Sequence, residues 1–313
     1  MPIRTTRHNA VEIAYETFGS PDGEPLLLIM GTALQMVMWP DDLCTMLAGR
    51  GFAVARFDNR DAGLSTHFSE AARPGLAKDW FRAGRVAAYR LEDMSDDALA
   101  VMDALGWSSA HLFGASLGGA IAQLTAICRP ERVRTLTVSS SYAGWRRGRV
   151  NMRTVLRLML SQSLRRYPAG REGAIQRVVD AMRILGSPGY PLDEAWWRHA
   201  AGVSYDRDPS PAGGEMRQSA AAGATGDLLP RLAALNVPTL VIHGEDDPMI
   251  RPRSAREIAA AVPGARLVLY PGMGHNLPGE LWAGIVDELC ALASESGAFL
   301  SSRDKGGLGG EDG

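Results

Sequence analysis

The chain is poor in cysteine and contains no long hydrophobic run. Its 313 residues include only Cys44, Cys128 and Cys290, which lie far apart. An odd number of widely separated cysteines argues against a disulfide framework or a zinc site, and it is typical of a protein of the reducing cytoplasm. No stretch of eighteen apolar residues occurs, so we expect no membrane partner. The first residues are polar and charged, which predicts no secretory signal.

The chain also lacks an excess of charge of one sign. Lys and Arg number 33 and Asp and Glu number 35, so the formal net charge is −2. This balance gives no reason to expect a nucleic-acid partner. The balance fails locally, because ten arginines lie between Arg146 and Arg183 against only Glu172 and Asp180. Solvated helix faces would explain this run, and a rim that attracts an acidic substrate is the alternative.

Short apolar segments alternate with helical patterns along most of the chain. Strands are predicted at 11–17, 26–30, 52–57, 110–113, 136–139, 238–243 and 266–270. Helices are predicted at 41–48, 94–105, 117–128, 252–262 and 279–293. This alternation predicts an α/β fold with a mostly parallel central sheet flanked by helices.

One long segment interrupts this alternation. Residues 141–227 contain three predicted helices, at 152–164, 174–185 and 193–203, and no convincing strand. We therefore expect a core made of residues 1–140 and 228–293, with residues 141–227 as an inserted helical cap. Residues 294–313 are rich in glycine, serine and charge, which predicts a disordered tail.

A candidate nucleophile lies between a predicted strand and a predicted helix. The segment GASLGG, residues 114–119, fits the pattern G-x-S-x-G with Ser116 at its centre. A serine on such a strand–turn–helix bend projects above the carboxyl end of the strand. The free N–H groups of the following helix point to the same place. Ser116 is therefore the predicted nucleophile.

A serine nucleophile needs a base, and the base needs an orienting acid. His275 follows the last predicted strand in a glycine-rich loop, where catalytic groups collect in open α/β sheets. The acid is expected between Ser116 and His275 in chain order. Glu245, Asp246 and Asp247 all follow a strand there. Asp247 precedes a proline that holds it extended at a turn, so it is preferred, with Asp246 as the alternative.

Taken together, these segments resemble the α/β-hydrolase superfamily over nearly the whole chain, and within it the aclacinomycin methylesterase branch. The motifs that carry the resemblance are Met30-Gly31 near Trp39-Pro40, the loop from Asp58 to Thr66, GASLGG, GEDDP and GMGH. In much of the superfamily a glycine stands where this chain has Asp61.

The resemblance implies roles for several further residues. It places the acid at Asp247, and an oxyanion hole at the backbone N–H groups of Thr32 and Leu117. The chain departs from the superfamily at Met30, where histidine is usual. Since only N–H groups are needed, this departure need not remove activity. The resemblance also implies a mostly structural role for Arg60 and Ser65.

The predicted function is hydrolysis of a small-molecule carboxylic ester, by resemblance a polyketide-like methyl ester, through an acyl-enzyme. No metal and no organic cofactor are expected. A cofactor-free haloperoxidase or perhydrolase, a lactonase and a C–C hydrolase would use the same residues, and a ligand-binding protein without turnover is an alternative of another class. The candidate lining of the substrate pocket comprises Met30, Trp145, Trp196 and Trp197.

Overall fold

The computed structural model describes residues 2–68, 87–144, 148–209 and 213–297, and these ranges form an eight-stranded sheet with helices around it. The strands are β1 Arg4–His8, β2 Val11–Phe18, β3 Glu24–Ile29, β4 Phe52–Phe57, β5 Ala110–Ala115, β6 Val133–Ser139, β7 Thr239–Gly244 and β8 Arg266–Tyr270. The first helices are α1 Asp41–Gly49, α2 Leu91–Ala104 and α3 Leu117–Cys128. They are followed by α4 Met152–Leu164, α5 Arg171–Leu185, α6 Glu194–Arg207, α7 Gly214–Ala224, α8 Leu229–Leu232, α9 Pro252–Ala261 and α10 Trp282–Glu295.

The sheet is mostly parallel, which confirms the predicted fold class. Its strand order is β1-β2-β4-β3-β5-β6-β7-β8. β1 pairs with β2 and β2 pairs with β4 in the antiparallel direction, whereas the pairs from β4 to β8 are parallel. The edge strand β1 was not predicted, because its sequence RTTRH contains no apolar residue.

Hydrophobic clusters cover both faces of the sheet. Leu27 and Ile29 of β3 belong to one cluster, together with residues of α2, α3 and α9. Leu26 and Leu28 belong to the other cluster, which includes residues of α1 and α10. Successive side chains of a strand point to opposite faces. A continuous apolar run such as LLLI therefore indicates a strand buried on both sides.

The described part of the connection between β6 and β7 holds five helices, α4 to α8. Of the three predicted there, the bounds of α4 agree with the structure, and α5 and α6 are longer than predicted. α7 and α8 were not predicted. At the end of the chain, α10 continues to Glu295, and residues 298–313 lie outside the described residues. Among the described helices, none is long and apolar enough to cross a membrane.

A buried ion pair joins this helical segment to the loop after β4. Arg217 of α7 donates from Nε and Nη2 to the two carboxylate oxygens of Asp61, at 2.8 and 2.6 Å, and both side chains are fully buried. Tyr89 donates a further hydrogen bond to Asp61 at 2.7 Å. Burial alone would raise the pKa of Asp61, but the hydrogen bonds from Arg217, the Phe68 amide and Tyr89 hold it below its usual value.

Replacing Arg217 should therefore destabilise the fold strongly. Arg217→Met leaves the Asp61 carboxylate buried without its ion partner, so we expect a loss of about 3–5 kcal/mol in the free energy of unfolding, measured by urea denaturation. The double variant Asp61→Asn/Arg217→Met should lose less than Arg217→Met alone. Arg171→Met, which breaks a surface pair with Asp206, is the control and should barely move the midpoint. Equal midpoints for Arg217→Met and the control would contradict the prediction.

Candidate active site

Ser116 occupies a sharp bend between β5 and α3. Its backbone has φ 53° and ψ −119°, a conformation that is strained for a residue with a side chain. The bend is held from two sides, because the Ser116 amide donates to the Ser139 carbonyl at 2.9 Å and the Ser141 hydroxyl donates to the Ser116 carbonyl at 2.6 Å. These are the features expected of a nucleophile elbow.

The glycines around Ser116 are required by close backbone contacts. A Cβ atom on Gly114 would lie 2.2 Å from the Gly118 carbonyl oxygen. A Cβ atom on Gly118 would lie 2.0 Å from the carbonyl oxygen of Ile29, the last residue of β3. Gly114 therefore lets α3 begin directly after the bend, and Gly118 lets the start of α3 approach the end of β3. The loop that follows β3 is thereby brought beside Ser116.

His275 reaches Ser116 from the loop after β8. Its Nε2 lies 3.2 Å from the Ser116 Oγ. The His275 amide donates to the carbonyl of Leu185, at the end of α5, at 2.8 Å. The neighbouring Gly274 amide donates to the Ser187 hydroxyl at 2.8 Å. The inserted helices thus fix the loop that carries this histidine.

Asp247 is the acid that the structure brings to His275. The Asp247 Oδ2 lies 2.8 Å from the His275 Nδ1, and its Oδ1 accepts from the amides of Met249 and Ile250, each at 2.8 Å. Asp246 is exposed instead, and its Oδ2 accepts from the Gly272 amide at 2.9 Å. An ionised carboxylate only accepts, so the His275 Nδ1 donates to it, and the neutral ring keeps Nε2 as the acceptor for the Ser116 hydroxyl.

Burial and pairing shift the pKa values of this couple in opposite directions. Burial lowers the pKa of His275, but the charge and hydrogen bond of Asp247 more than offset it, so the pKa lies above its ordinary value. Burial raises the pKa of Asp247, yet His275 and the surrounding hydrogen bonds bring it below its usual value. The pair therefore favours an ionised carboxylate beside an imidazole that holds a proton readily.

A second histidine, His243, lies near this pair in the core of β7. His243 is fully buried, and its Nε2 lies 2.9 Å from the Ile250 carbonyl and 3.6 Å from the Asp247 Oδ2. Burial lowers the pKa of His243 despite the neighbouring carboxylate. A neutral His243 can support the turn that carries Asp247 through its bond to Ile250.

The loop after β3 brings the predicted oxyanion donor Thr32 next to the serine. A Cβ atom on the preceding Gly31 would lie 3.1 Å from the Ser116 Cβ. Leu117, which carries the second predicted donor, is the first residue of α3. Within the described ranges, neither the Thr32 nor the Leu117 amide has a hydrogen-bond acceptor. Both N–H groups are therefore available to a bound oxygen.

Two side chains, Gln218 and Asp58, hold this loop, and no motif revealed the first of them. Gln218 of α7 is fully buried; its Oε1 accepts from the Ala33 amide at 2.7 Å, and its Nε2 donates to the Arg60 carbonyl at 2.8 Å. Asp58 accepts from the Met36 amide at 2.7 Å and from the Arg207 guanidinium. No sequence pattern points to Gln218, because its partners lie about half the chain away.

Three of the four candidate pocket residues lie in the described part of the structure. Met30 and Trp197 are buried members of one hydrophobic cluster, and the partly buried Trp196 packs against it. The two indole rings meet edge to face with centroids 4.8 Å apart. Trp145 lies outside the described residues. Aromatic and apolar groups from the loop after β3 and from α6 are thus collected in one cluster.

Many arginines of the inserted helices lie at the surface in ion pairs. A cavity of about 330 Å³ is lined in part by Arg165, Arg166, Arg183 and Arg198. Asp180 lies in the same cavity and pairs with Arg165 and Arg183, and Glu172 pairs with Arg198. These carboxylates neutralise much of the arginine charge there. No group of three metal-ligating side chains occurs among the described residues.

Comparison with known proteins assigns the chain to a family. The family described as having the alpha/beta hydrolase fold matches residues 24–280, a span that includes β3, the Ser116 bend and His275. The protein belongs to the α/β-hydrolase family.

Two relatives are named for the same activity. The chain is 32% identical to the rhodomycin D methylesterase DauP of Streptomyces sp. (strain C5), over 93% of this chain and 98% of the relative. It is also 32% identical to the rhodomycin D methylesterase DnrP of Streptomyces peucetius, with the same coverage. Among solved structures, the esterase RhEst1 from Rhodococcus sp. ECU1013 aligns with a TM-score of 0.70 at 22% identity, covering 94% and 99% of the two chains.

The electrostatics of the site predict how its histidine titrates. In an NMR titration of the imidazole resonances, His275 should show a pKa above 6.5, because Asp247 stabilises its protonated form. Asp247→Asn removes that charge and leaves the effect of burial, so the pKa of His275 should then fall below 6.5. His111 is the internal control, since burial and Arg134 lower its pKa to about 4 and it should not respond to Asp247→Asn. A His275 pKa that Asp247→Asn leaves unchanged would exclude this coupling.

Proposed function

We propose that the protein is a serine esterase in which Ser116, His275 and Asp247 form the catalytic triad. One observation carries the proposal: the Ser116 hydroxyl lies at a strained strand–helix bend, 3.2 Å from the His275 Nε2, whose ring is bound to Asp247. A nucleophile, a base and an orienting acid within hydrogen-bond reach are the requirements of acyl transfer.

The first half of the reaction forms an acyl-enzyme. His275 takes the proton of the Ser116 hydroxyl as the oxygen attacks the ester carbonyl. The protonated ring is stabilised by Asp247, which the backbone amides of Met249 and Ile250 keep in place. The tetrahedral intermediate then collapses, and the leaving alcohol takes its proton from His275.

The second half of the reaction repeats these steps with water. His275 takes a proton from water as the oxygen attacks the acyl carbonyl, and the Ser116 oxygen leaves with that proton. The products are a carboxylic acid and the alcohol, and Ser116 is regenerated. In both halves the N–H groups of Thr32 and Leu117 bind the negatively charged oxygen, each donor contributing about 3 kcal/mol.

The substrate we propose is the methyl ester of a polyketide-like, largely apolar molecule. Two relatives that cover nearly the whole chain are named methylesterases, which supports the methyl ester. The predicted pocket residues Met30, Trp196 and Trp197 are apolar or aromatic, which supports an apolar acyl part. In this proposal, residues 141–227 are a cap over Ser116, and the contacts of α5 with the His275 loop and of α7 with the Thr32 loop support that arrangement.

The nucleophile is tested by removing its hydroxyl. Ser116→Ala should remain folded and reduce hydrolysis of a p-nitrophenyl ester to about background, because no attacking oxygen remains. A fluorophosphonate should label the original protein and not the variant, as read by intact mass. Ser294→Ala is the control, because it also removes a serine hydroxyl but one that donates to the Cys290 carbonyl within α10. Undiminished turnover or labelling in Ser116→Ala would rule out the assignment.

The oxyanion loop is tested through Gln218. Gln218→Met keeps the side-chain volume and loses both hydrogen bonds to the loop, so the Thr32 N–H should move away from the reacting oxygen. We expect kcat to fall by up to about 100-fold with little change in KM, and the affinity for a boronic acid inhibitor to fall in parallel. Gln162→Met is the control, because Gln162 bonds only to the Arg177 carbonyl on the surface. A lower melting temperature with kcat unchanged would show a purely structural role.

A further inference from the structure

The outward face of α4 is unusually apolar. Nine large hydrophobic side chains are exposed in the described part of the chain, and five of them belong to this one helix. They are between 47% and 78% exposed. The five are Met152, Leu156, Met159, Leu160 and Leu164.

These side chains form a continuous stripe. Their spacing of three and four residues places them on one side of an α-helix. The opposite side of α4 packs on the protein: Thr154 is buried, and Val155 and Leu158 each contact a hydrophobic core cluster. The inward face therefore secures the helix, and the apolar stripe is not needed for that packing.

The charged residues of α4 itself are all positive. The helix carries Arg153 and Arg157 and no aspartate or glutamate, whereas Arg165, which follows it, pairs with Asp180. Arg153 and Arg157 lie on the outward side of α4 itself and are exposed. Neither guanidinium makes an ion pair with a described residue. Both are therefore available to anions outside the protein.

We propose that α4 binds an anionic membrane surface, with its apolar stripe in the lipid interface and its arginines on lipid headgroups. An exposed apolar face bordered by arginine is the composition of interfacial helices. Clustered arginines near such a face attract anionic lipid. A second copy of the chain fits less well, because pairing two α4 faces would bring like charges together. The proposal is independent of the esterase activity. It departs from the sequence expectation of no membrane partner, because that expectation rested on the lack of a spanning segment and an interfacial helix needs none.

The test measures binding of the full chain to lipid vesicles by sedimentation. We expect binding to vesicles of phosphatidylglycerol and phosphatidylcholine, weaker binding to phosphatidylcholine alone, and a decrease as salt is raised. Equal binding to both vesicle types, or no binding to either, would overturn the proposal. A dimer that forms through α4 and does not bind vesicles, detected by light scattering, would overturn it as well.

Variants separate the apolar and the charged contributions. Leu156→Gln/Leu160→Gln should lower the affinity for anionic vesicles at least about tenfold, because less apolar surface enters the interface. Arg153→Gln/Arg157→Gln should lower it about 25-fold and flatten the salt dependence. The matched control Met46→Gln/Met216→Gln removes exposed apolar side chains elsewhere and should bind normally. All three should hydrolyse a soluble ester at the original rate. Equal losses in the control and the α4 variants would contradict a specific role of α4.

Discussion

The buried ion pair between Asp61 and Arg217 fixes the position of α7, and much of the site depends on that position. Two charges in the interior are tolerated only when their geometry is nearly complete, so α7 has little freedom to shift. The next residue, Gln218, binds the Ala33 amide 185 positions earlier in the chain. The proposed oxyanion donor Thr32 is therefore held by a helix of the insertion. The resemblance leads us to expect a histidine at position 30, and in its absence this distant contact is one that holds the loop.

The helical segment between β6 and β7 also holds the loop that carries His275. The end of α5 accepts the amide of His275, and Ser187 binds the adjoining Gly274. The proposed base and the proposed oxyanion loop thus follow different strands of the sheet, and both contact the helical segment between β6 and β7. Such double attachment favours a site whose geometry is set before substrate arrives. It also explains why the reacting groups can lie on loops, which are otherwise the most mobile parts of a fold.

The parts of the molecule that could be predicted are those whose signal is local. Continuous apolar runs predicted the central strands. The segment GASLGG predicted both the bend and the proposed nucleophile, because the residues next to Ser116 determine that bend. α7 was not predicted, because its sequence GEMRQSAAAGA buries Arg217, Gln218 and small alanines, so no large apolar residues recur at helical spacing. The edge strand β1 was not predicted for a similar reason, since all its residues are polar. The contacts of Gln218 could not be predicted, because its partners lie about half the chain away and no residue pattern within one segment indicates them.

The ion pair at position 61 has a consequence for how such a chain can change over generations. The family resemblance leads us to expect glycine at position 61, yet this chain carries an acid that is buried beside a basic partner on another element. Losing either residue alone leaves a charge without its counter-ion inside the protein, so such a substitution would be selected against. Positions 61 and 217 should therefore be inherited as a unit, each limiting which residues the other position can accept.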